Sequence, residues 1–268
     1  MSGNYVFPGG RVDQEDGAQE ICALTKGITP EEAYSKFGEL LSPEESLAHW
    51  VAGIRELFEE AGILLAYDQN GNLFQLKNPA DRVRFANYRT HLQKGQRTIW
   101  QIARDERLLL AVDQLHYYAH WITPEARRER FDTRFFLACL PAGQEPSFDQ
   151  KETIAEVWLT PREAFEENVK GRIALSPPTL QIMEDLSQFN SAEDVLNSLR
   201  GKGIRPILPI LKNLGGEVLI FPWDPEYEIF NRGDIPATIN HVRPSRAGDH
   251  TTRLILRRGI WYPYCLSH

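Results

Sequence analysis

The stretch Arg55-Glu56-Leu57-Phe58-Glu59-Glu60-Ala61-Gly62-Ile63 constrains this chain more than any other. It reads as the last turns of a helix. Ser42-Pro43-Glu44-Glu45 supplies the start, with Ser42 as N-cap, Pro43 at the first helical position and Glu45 closing a capping box. Gly62 is the natural stop, because glycine tolerates the left-handed conformation that follows a helix. Trp50, Val51, Ile54, Leu57, Phe58 and Ala61 recur at helical spacing and mark the face to be buried.

Glu56, Glu59 and Glu60 stand at i, i+3 and i+4, so their carboxylates share one face. A solvated acidic face would place Lys or Arg four residues after each Glu. Here those positions hold Glu60, Ile63 and Leu64, and Arg55, four before Glu59, is the one compensating charge. The helix dipole is already negative at this end. Each close like-charge pair costs on the order of 1 kcal/mol in water and about 4 at a protein surface. A bound cation offsets those costs, and hard divalent ions favour carboxylate oxygens.

These residues resemble the second half of the Nudix box, and Phe7-Pro8-Gly9-Gly10-Arg11-Val12-Asp13 resembles its Gly-Gly first half. A string like the second half arises by chance on the order of once in ten million windows. The spacing departs from the usual box. Gly10 and Arg55 lie forty-five positions apart, so residues 14–42 form an insert long enough to carry its own structure. The glutamate that the usual box places after the turn falls on Asp16. A long insert, followed by Arg-Glu-x-Phe-Glu-Glu-Ala-Gly-x-Leu-Leu-Ala, is similar to one branch in particular. That branch is typified by the peroxisomal coenzyme A diphosphatase of animals and its bacterial relatives. Trp121-Ile122-Thr123-Pro124 and Arg130-Phe131-Asp132-Thr133-Arg134-Phe135-Phe136 resemble the same branch.

The resemblance implies an α/β fold, a Nudix-type α/β/α sandwich with a mixed sheet. Residues 1–200 would form the domain, with helical inserts, and residues 201–268 a C-terminal extension without assigned chemistry. Nudix domains have strands ahead of the Gly-Gly turn, so the first strands are expected to be missing here and the reading frame to extend upstream of Met1. The implied activity is divalent-metal-dependent hydrolysis of the diphosphate linkage in a nucleoside diphosphate derivative. Coenzyme A or acyl-coenzyme A is the first candidate; FAD, NADH, ADP-ribose or a nucleotide sugar is the alternative. A non-catalytic Nudix-like binding module is the reading from another class. Glu56, Glu59 and Glu60, with the backbone carbonyl of Gly10, would hold Mg²⁺ or Mn²⁺. Arg55 would orient Glu59, and Glu60 or Glu152 would take the proton of the attacking water.

Arg127, Arg128 and Arg130 form a basic cluster that is either solvated or turned toward anionic phosphates. Arg134 lies on a strand beside two Phe residues and either joins them in binding substrate or pairs internally. His116 and His120 are four apart, but on a strand and without an HExxH frame, which argues against zinc. Net charge is −7 over 268 residues, which disfavours nucleic acid and acidic membranes as partners. Three cysteines without CxxC spacing, no membrane-length apolar run and no signal-peptide pattern lead to the expectation of a cytoplasmic protein.

Along the chain, residues 4–7 read as a short strand and Thr29-Pro30-Glu31-Glu32 as a helix start. Residues 79–92 and 97–111 read as two helices, a candidate specificity insert. Strands are expected at 115–122, 133–140, 152–159, 218–221 and 253–256, and helices from Pro161 and at 179–189 and 192–200.

Overall fold

The computed structural model describes residues 4–38, 41–147, 157–236 and 242–266. The fold is mixed α/β, and the chain divides into two compact units. One comprises residues 8–118 and 136–156, the other residues 1–7, 119–135 and 157–268. No helix among the described residues is long and apolar enough to cross a membrane.

The first unit is built on the helix Pro43–Ala61. Ser42 Oγ accepts from Glu45 N–H at 3.2 Å, and Glu45 Oε2 accepts from Ser42 N–H at 2.8 Å. Gly62 closes the other end at φ 69°. Trp50, Val51, Ile54, Phe58 and Ala61 are buried in one core, and Leu57 packs half-buried against it. The 14–42 insert supplies the helix Pro30–Phe37, opened by the capping box at Thr29. Its Phe37 ring stacks on Trp50 with centroids 4.6 Å apart. A small mixed sheet has Leu109–Ala111 at its centre, parallel to Thr25–Lys26 and antiparallel to Ala66–Tyr67.

Two expectations are corrected. The helix expected over 97–111 runs only Ile99–Asp105. Arg107 then takes a left-handed turn at φ 54°, and Leu109–Ala111 is a strand. A continuous apolar run such as Leu108 to Val112 fits a buried strand as well as a helix; here two neighbouring strands offer it backbone partners. Residues 4–7 make no strand of their own but a single parallel bridge, Tyr5 to Leu175.

In the second unit, residues 119–122 of the strand His116–Ile122 pair in parallel with Pro206–Ile207 at His120 and Trp121, and residues 132–135 of the strand Asp132–Leu137 flank their other side. The helix Pro161–Val169 starts at Thr160 with a capping box to Glu163. Helices Pro177–Leu186 and Ala192–Ser198 follow. The strand expected over 152–159 lies mostly outside the described residues, and residues 157–160 have no regular structure. The chain beyond residue 206 forms an antiparallel five-stranded sheet. Its order is Ile210–Asn213, Glu217–Ile220, Arg253–Arg257, Ile260–Leu266, Val242–Pro244. The expected strands near 218 and 253 are neighbours within it.

The helix Pro177–Leu186 buries a carboxyl group. Glu184 is 1% exposed and is pushed up to about 7, chiefly by burial. Hydrogen bonds from Thr251 and Gln181 offset part of this, and adjacent Asp185 adds to it. Between the ordinary 4.5 and about 7 the folded chain keeps a proton that the unfolded chain has released. The associated stability is therefore fully present below the lower value and lost as pH rises through the upper one. The difference is worth up to about 3 kcal/mol. Urea denaturation should show falling stability from pH 5 to pH 8, and Glu184→Gln should flatten that slope. Parallel slopes in the two proteins would exclude Glu184 as its source.

Candidate active site

The acidic face of the Pro43–Ala61 helix meets the Gly9–Gly10 turn and the segment from Asp13 to Asp16, all within the first unit. Arg55 lies at the centre, 7% exposed. Its Nε and Nη2 donate to the two oxygens of Asp16, both at 2.9 Å, as a fork. Nη2 also donates to the Arg11 carbonyl at 2.7 Å. Nη1 donates to Glu56 Oε1 at 2.8 Å and Glu59 Oε1 at 3.1 Å. Asp13 is 3.7 Å away. Asp16 is fully buried, and its Oδ2 accepts from Asp13 N–H at 2.8 Å. Asp16, the residue at which the sequence departs from the usual box, is thus what fixes the guanidinium.

One guanidinium faces four carboxylates here: Asp13, Asp16, Glu56 and Glu59. Burial lifts Glu56 and Glu59 above the ordinary carboxylate range even though Arg55 pulls the other way. Burial also pulls Arg55 down, but its acidic partners, Asp16 foremost, outweigh that and hold it above its usual value. Glu60 turns to the glycine turn, where Gly9 N–H donates to its Oε2 at 3.0 Å. A Cβ on Gly10 would fall 2.2 Å from Glu56 Oε1, so a side chain there would push the Glu56 carboxylate out of its place against Arg55. With the carboxylates turned to Arg55 and the turn, no three His, Cys, Asp or Glu side chains among the described residues form a ready-made ion cage. A cavity of about 450 Å³ opens beside Asp13 toward the start of the helix. Its polar lining includes Asp13, Glu44, Glu45 and His49, so carboxylates outnumber basic groups there.

Residues 1–186 match the family described as the NUDT19 Nudix domain. The chain belongs to that family of Nudix hydrolases. Acyl-coenzyme A diphosphatase NUDT19 of Xenopus laevis is 28% identical over 218 residues, which cover 70% of this chain and 57% of the frog protein. The chain therefore spans less than two thirds of that relative. The Homo sapiens protein of the same name is 26% identical over 260 residues, covering 85% and 68%. A crystal structure of a Nudix hydrolase from Alicyclobacillus acidocaldarius shares the fold, with a TM-score of 0.59 at 24% identity over 73% of this chain and 81% of that one.

Glu152 lies outside the described residues. Arg127, Arg130 and Arg134 belong to the second unit. Arg127 makes a two-point pair with Glu217, at 3.0 and 2.7 Å. Arg130 Nε donates to the Thr123 carbonyl at 3.1 Å. Arg134, nearly buried, donates to Asp132 at 2.9 Å, so it does pair internally. His120 is buried against the same Asp132, while burial holds His116 below its ordinary value. Sequence reasoning missed Arg89 and Gln93 of the Pro79–Gln93 helix, which reach the last backbone carbonyls of the acidic helix. An acidic helix end calls for a cation, but no local pattern says that the cation comes from thirty positions away.

Proposed function

We propose that this chain hydrolyses the diphosphate linkage of a nucleoside diphosphate derivative, with coenzyme A or acyl-coenzyme A as the first candidate. The observation that supports it is the Arg55 cluster, in which one cation faces four carboxylates beside a glycine turn. The excess negative charge and the raised Glu56 and Glu59 fit a hard divalent ion. Glu56, Glu59, Glu60 and the Gly10 carbonyl would hold Mg²⁺ or Mn²⁺, which when bound neutralises charge on the diphosphate oxygens. Arg55 keeps Glu56 and Glu59 in place from behind. Gly10 leaves room for the Glu56 carboxylate beside the turn, and Glu60 or Glu152 accepts a proton from the attacking water. The diphosphatase names of the frog and human relatives favour a coenzyme A substrate. Residues 1–200 act as the catalytic domain in this reading, with 79–111 as the selectivity insert. The free Cys22, Cys139 and Cys265 suit a reducing cytoplasm.

The deciding experiment incubates the protein with Mg²⁺ or Mn²⁺ and coenzyme A, acyl-coenzyme A, FAD, NADH, ADP-ribose or nucleotide sugars, and weighs the products. Coenzyme A should yield a phosphopantetheine and adenosine 3′,5′-bisphosphate. Of the three arginines assigned to substrate, Arg127 and Arg134 have carboxylate partners, while Arg130 donates to a carbonyl. Arg130→Ala should raise KM for coenzyme A more than for its 3′-dephospho form, because only one substrate loses a contact worth about 1.5–3 kcal/mol. Equal losses would remove Arg130 from 3′-phosphate binding. Turnover of none of these compounds by the metal-loaded protein would favour the binding-module reading.

A further inference from the structure

The last four carbonyls of the Pro43–Ala61 helix have no partner within the helix. The first is met by the C-cap, which continues the i→i−4 ladder by one bond, and the other three by groups from elsewhere in the chain. Gly62 N–H donates to the Phe58 carbonyl at 3.0 Å and Ser147 N–H to that of Ala61 at 2.9 Å. The two between belong to Glu59 and Glu60, and both receive side chains from the Pro79–Gln93 helix. Arg89 Nε donates to the Glu59 carbonyl and Nη2 to the Glu60 carbonyl, both at 2.7 Å. Gln93 Nε2 adds a second bond to the Glu59 carbonyl at 2.8 Å. Arg89 Nη1 continues to the Ser147 carbonyl at 2.6 Å and its hydroxyl at 3.1 Å. Residues 89 and 93 are four apart on one helix, so both reach from the same face.

We propose that Arg89, supported by Gln93, is a positioning residue that holds Glu59 and Glu60 in place for the divalent ion. It fixes the two peptide planes from which Glu59 and Glu60 project, and it brings positive charge to a helix end loaded with carboxylates. The proposal rests on the metal-dependent reading above. A helix stop alone does not require it, since Gly62 already provides one. What Arg89 adds is a planar fork that joins three backbone carbonyls and a hydroxyl at once, which an ammonium cannot reproduce. The packing is close. A Cβ on Gly62 would sit 3.2 Å from Arg89 Nη1 and 2.6 Å from Ser147 Oγ. Ligands of an ion must hold their geometry to roughly 0.5 Å, and the groups behind them set that geometry.

The test compares the full chain with Arg89→Ala, Arg89→Lys and Gln93→Ala. Arg84→Ala is the control, because Arg84 makes ion pairs to Asp81 and Glu106 from the same helix without touching the acidic one. Three quantities are read: Mn²⁺ affinity from the electron paramagnetic resonance of free Mn²⁺, kcat and KM on coenzyme A, and melting temperature. Arg89→Ala should weaken Mn²⁺ binding about tenfold or more and lower kcat, with KM at saturating Mn²⁺ little changed. Arg89→Lys should recover part of this and Gln93→Ala should lose less. Arg84→Ala should lower the melting temperature and leave Mn²⁺ affinity unchanged. Wild-type Mn²⁺ affinity and kcat in Arg89→Ala, with a lowered melting temperature, would reduce Arg89 to a structural role and overturn the proposal alone. A wild-type chain that binds Mn²⁺ but cleaves no diphosphate refutes the hydrolase reading and leaves the Mn²⁺ comparison to decide this one. A wild-type chain that binds no Mn²⁺ overturns both.

Discussion

Arg55→Ala is expected to destabilise the protein by about 3–5 kcal/mol, the usual cost of removing one partner from a buried ion pair. The estimate rests on Asp16, which is fully buried and takes two hydrogen bonds from Arg55. Without the guanidinium, Asp16 keeps only its bond from Asp13 N–H and faces Glu56 and Glu59 with no countercharge. Asp13 contributes little, being 65% exposed and screened. Guanidinium chloride denaturation at pH 7 measures the loss. The double variant Asp16→Ala, Arg55→Ala should recover a large part of it, because no buried charge is then stranded. Simple additivity of the two single variants, or a loss under about 1 kcal/mol for Arg55→Ala, would show that Asp16 and Arg55 are not coupled as their geometry implies. The fall in turnover expected of Arg55→Ala follows from the same contacts, since Nη1 holds Glu56 and Glu59.

The acidic helix could be read from the sequence because its signals are local. Ser42, Pro43, Glu45 and Gly62 each act within one turn, and Thr29 and Thr160 open helices by the same chemistry. The i, i+3, i+4 spacing of the carboxylates needs nothing beyond the helix. Elements that depend on distant partners were harder. Leu109–Ala111 is a strand because Thr25–Lys26 and Ala66–Tyr67 lie beside it, and nothing in its own residues says so. The C-terminal sheet showed as two isolated strands, because Ile210–Asn213 and Val242–Pro244 are short and Ile260–Leu266 carries Pro263 in its middle. Within the candidate site, Arg55 is legible as a partner of Glu59 because it stands four positions before it, and Nη1 donates to Glu59; the pairing with Asp16 is not legible in this way. A two-point ion pair across thirty-nine positions leaves no periodic trace. Arg127, Arg128 and Arg130 read as a basic cluster either solvated or turned toward phosphate, and the partner of Arg127, Glu217, ninety positions away, appears only in three dimensions.

Glu59→Gln is expected to remove nearly all divalent-dependent turnover while leaving the fold intact. The side chain is 18% exposed, and its bond to Arg55 Nη1 is one that an amide oxygen can also accept. Four carboxylates face one guanidinium here, so losing one of their charges while keeping the acceptor costs little, on the order of 1 kcal/mol. The charge, however, is lost, and with it one of the carboxylates proposed to hold the ion. A fall of about a thousandfold in kcat corresponds to ~4 kcal/mol of transition-state stabilisation, within what a single electrostatic group supplies in a buried site. Glu56→Gln should act in the same direction, because Glu56 shares the same Arg55 nitrogen. Glu31→Gln, in the first turn of the insert helix, carries the same chemical change and should leave turnover untouched. The comparison needs kcat at several Mn²⁺ concentrations and a denaturation curve for each variant. A Glu59→Gln protein that cleaved substrate at the wild-type rate would take Glu59 out of the site, and with it the argument that three carboxylates on one helical face gather a metal ion.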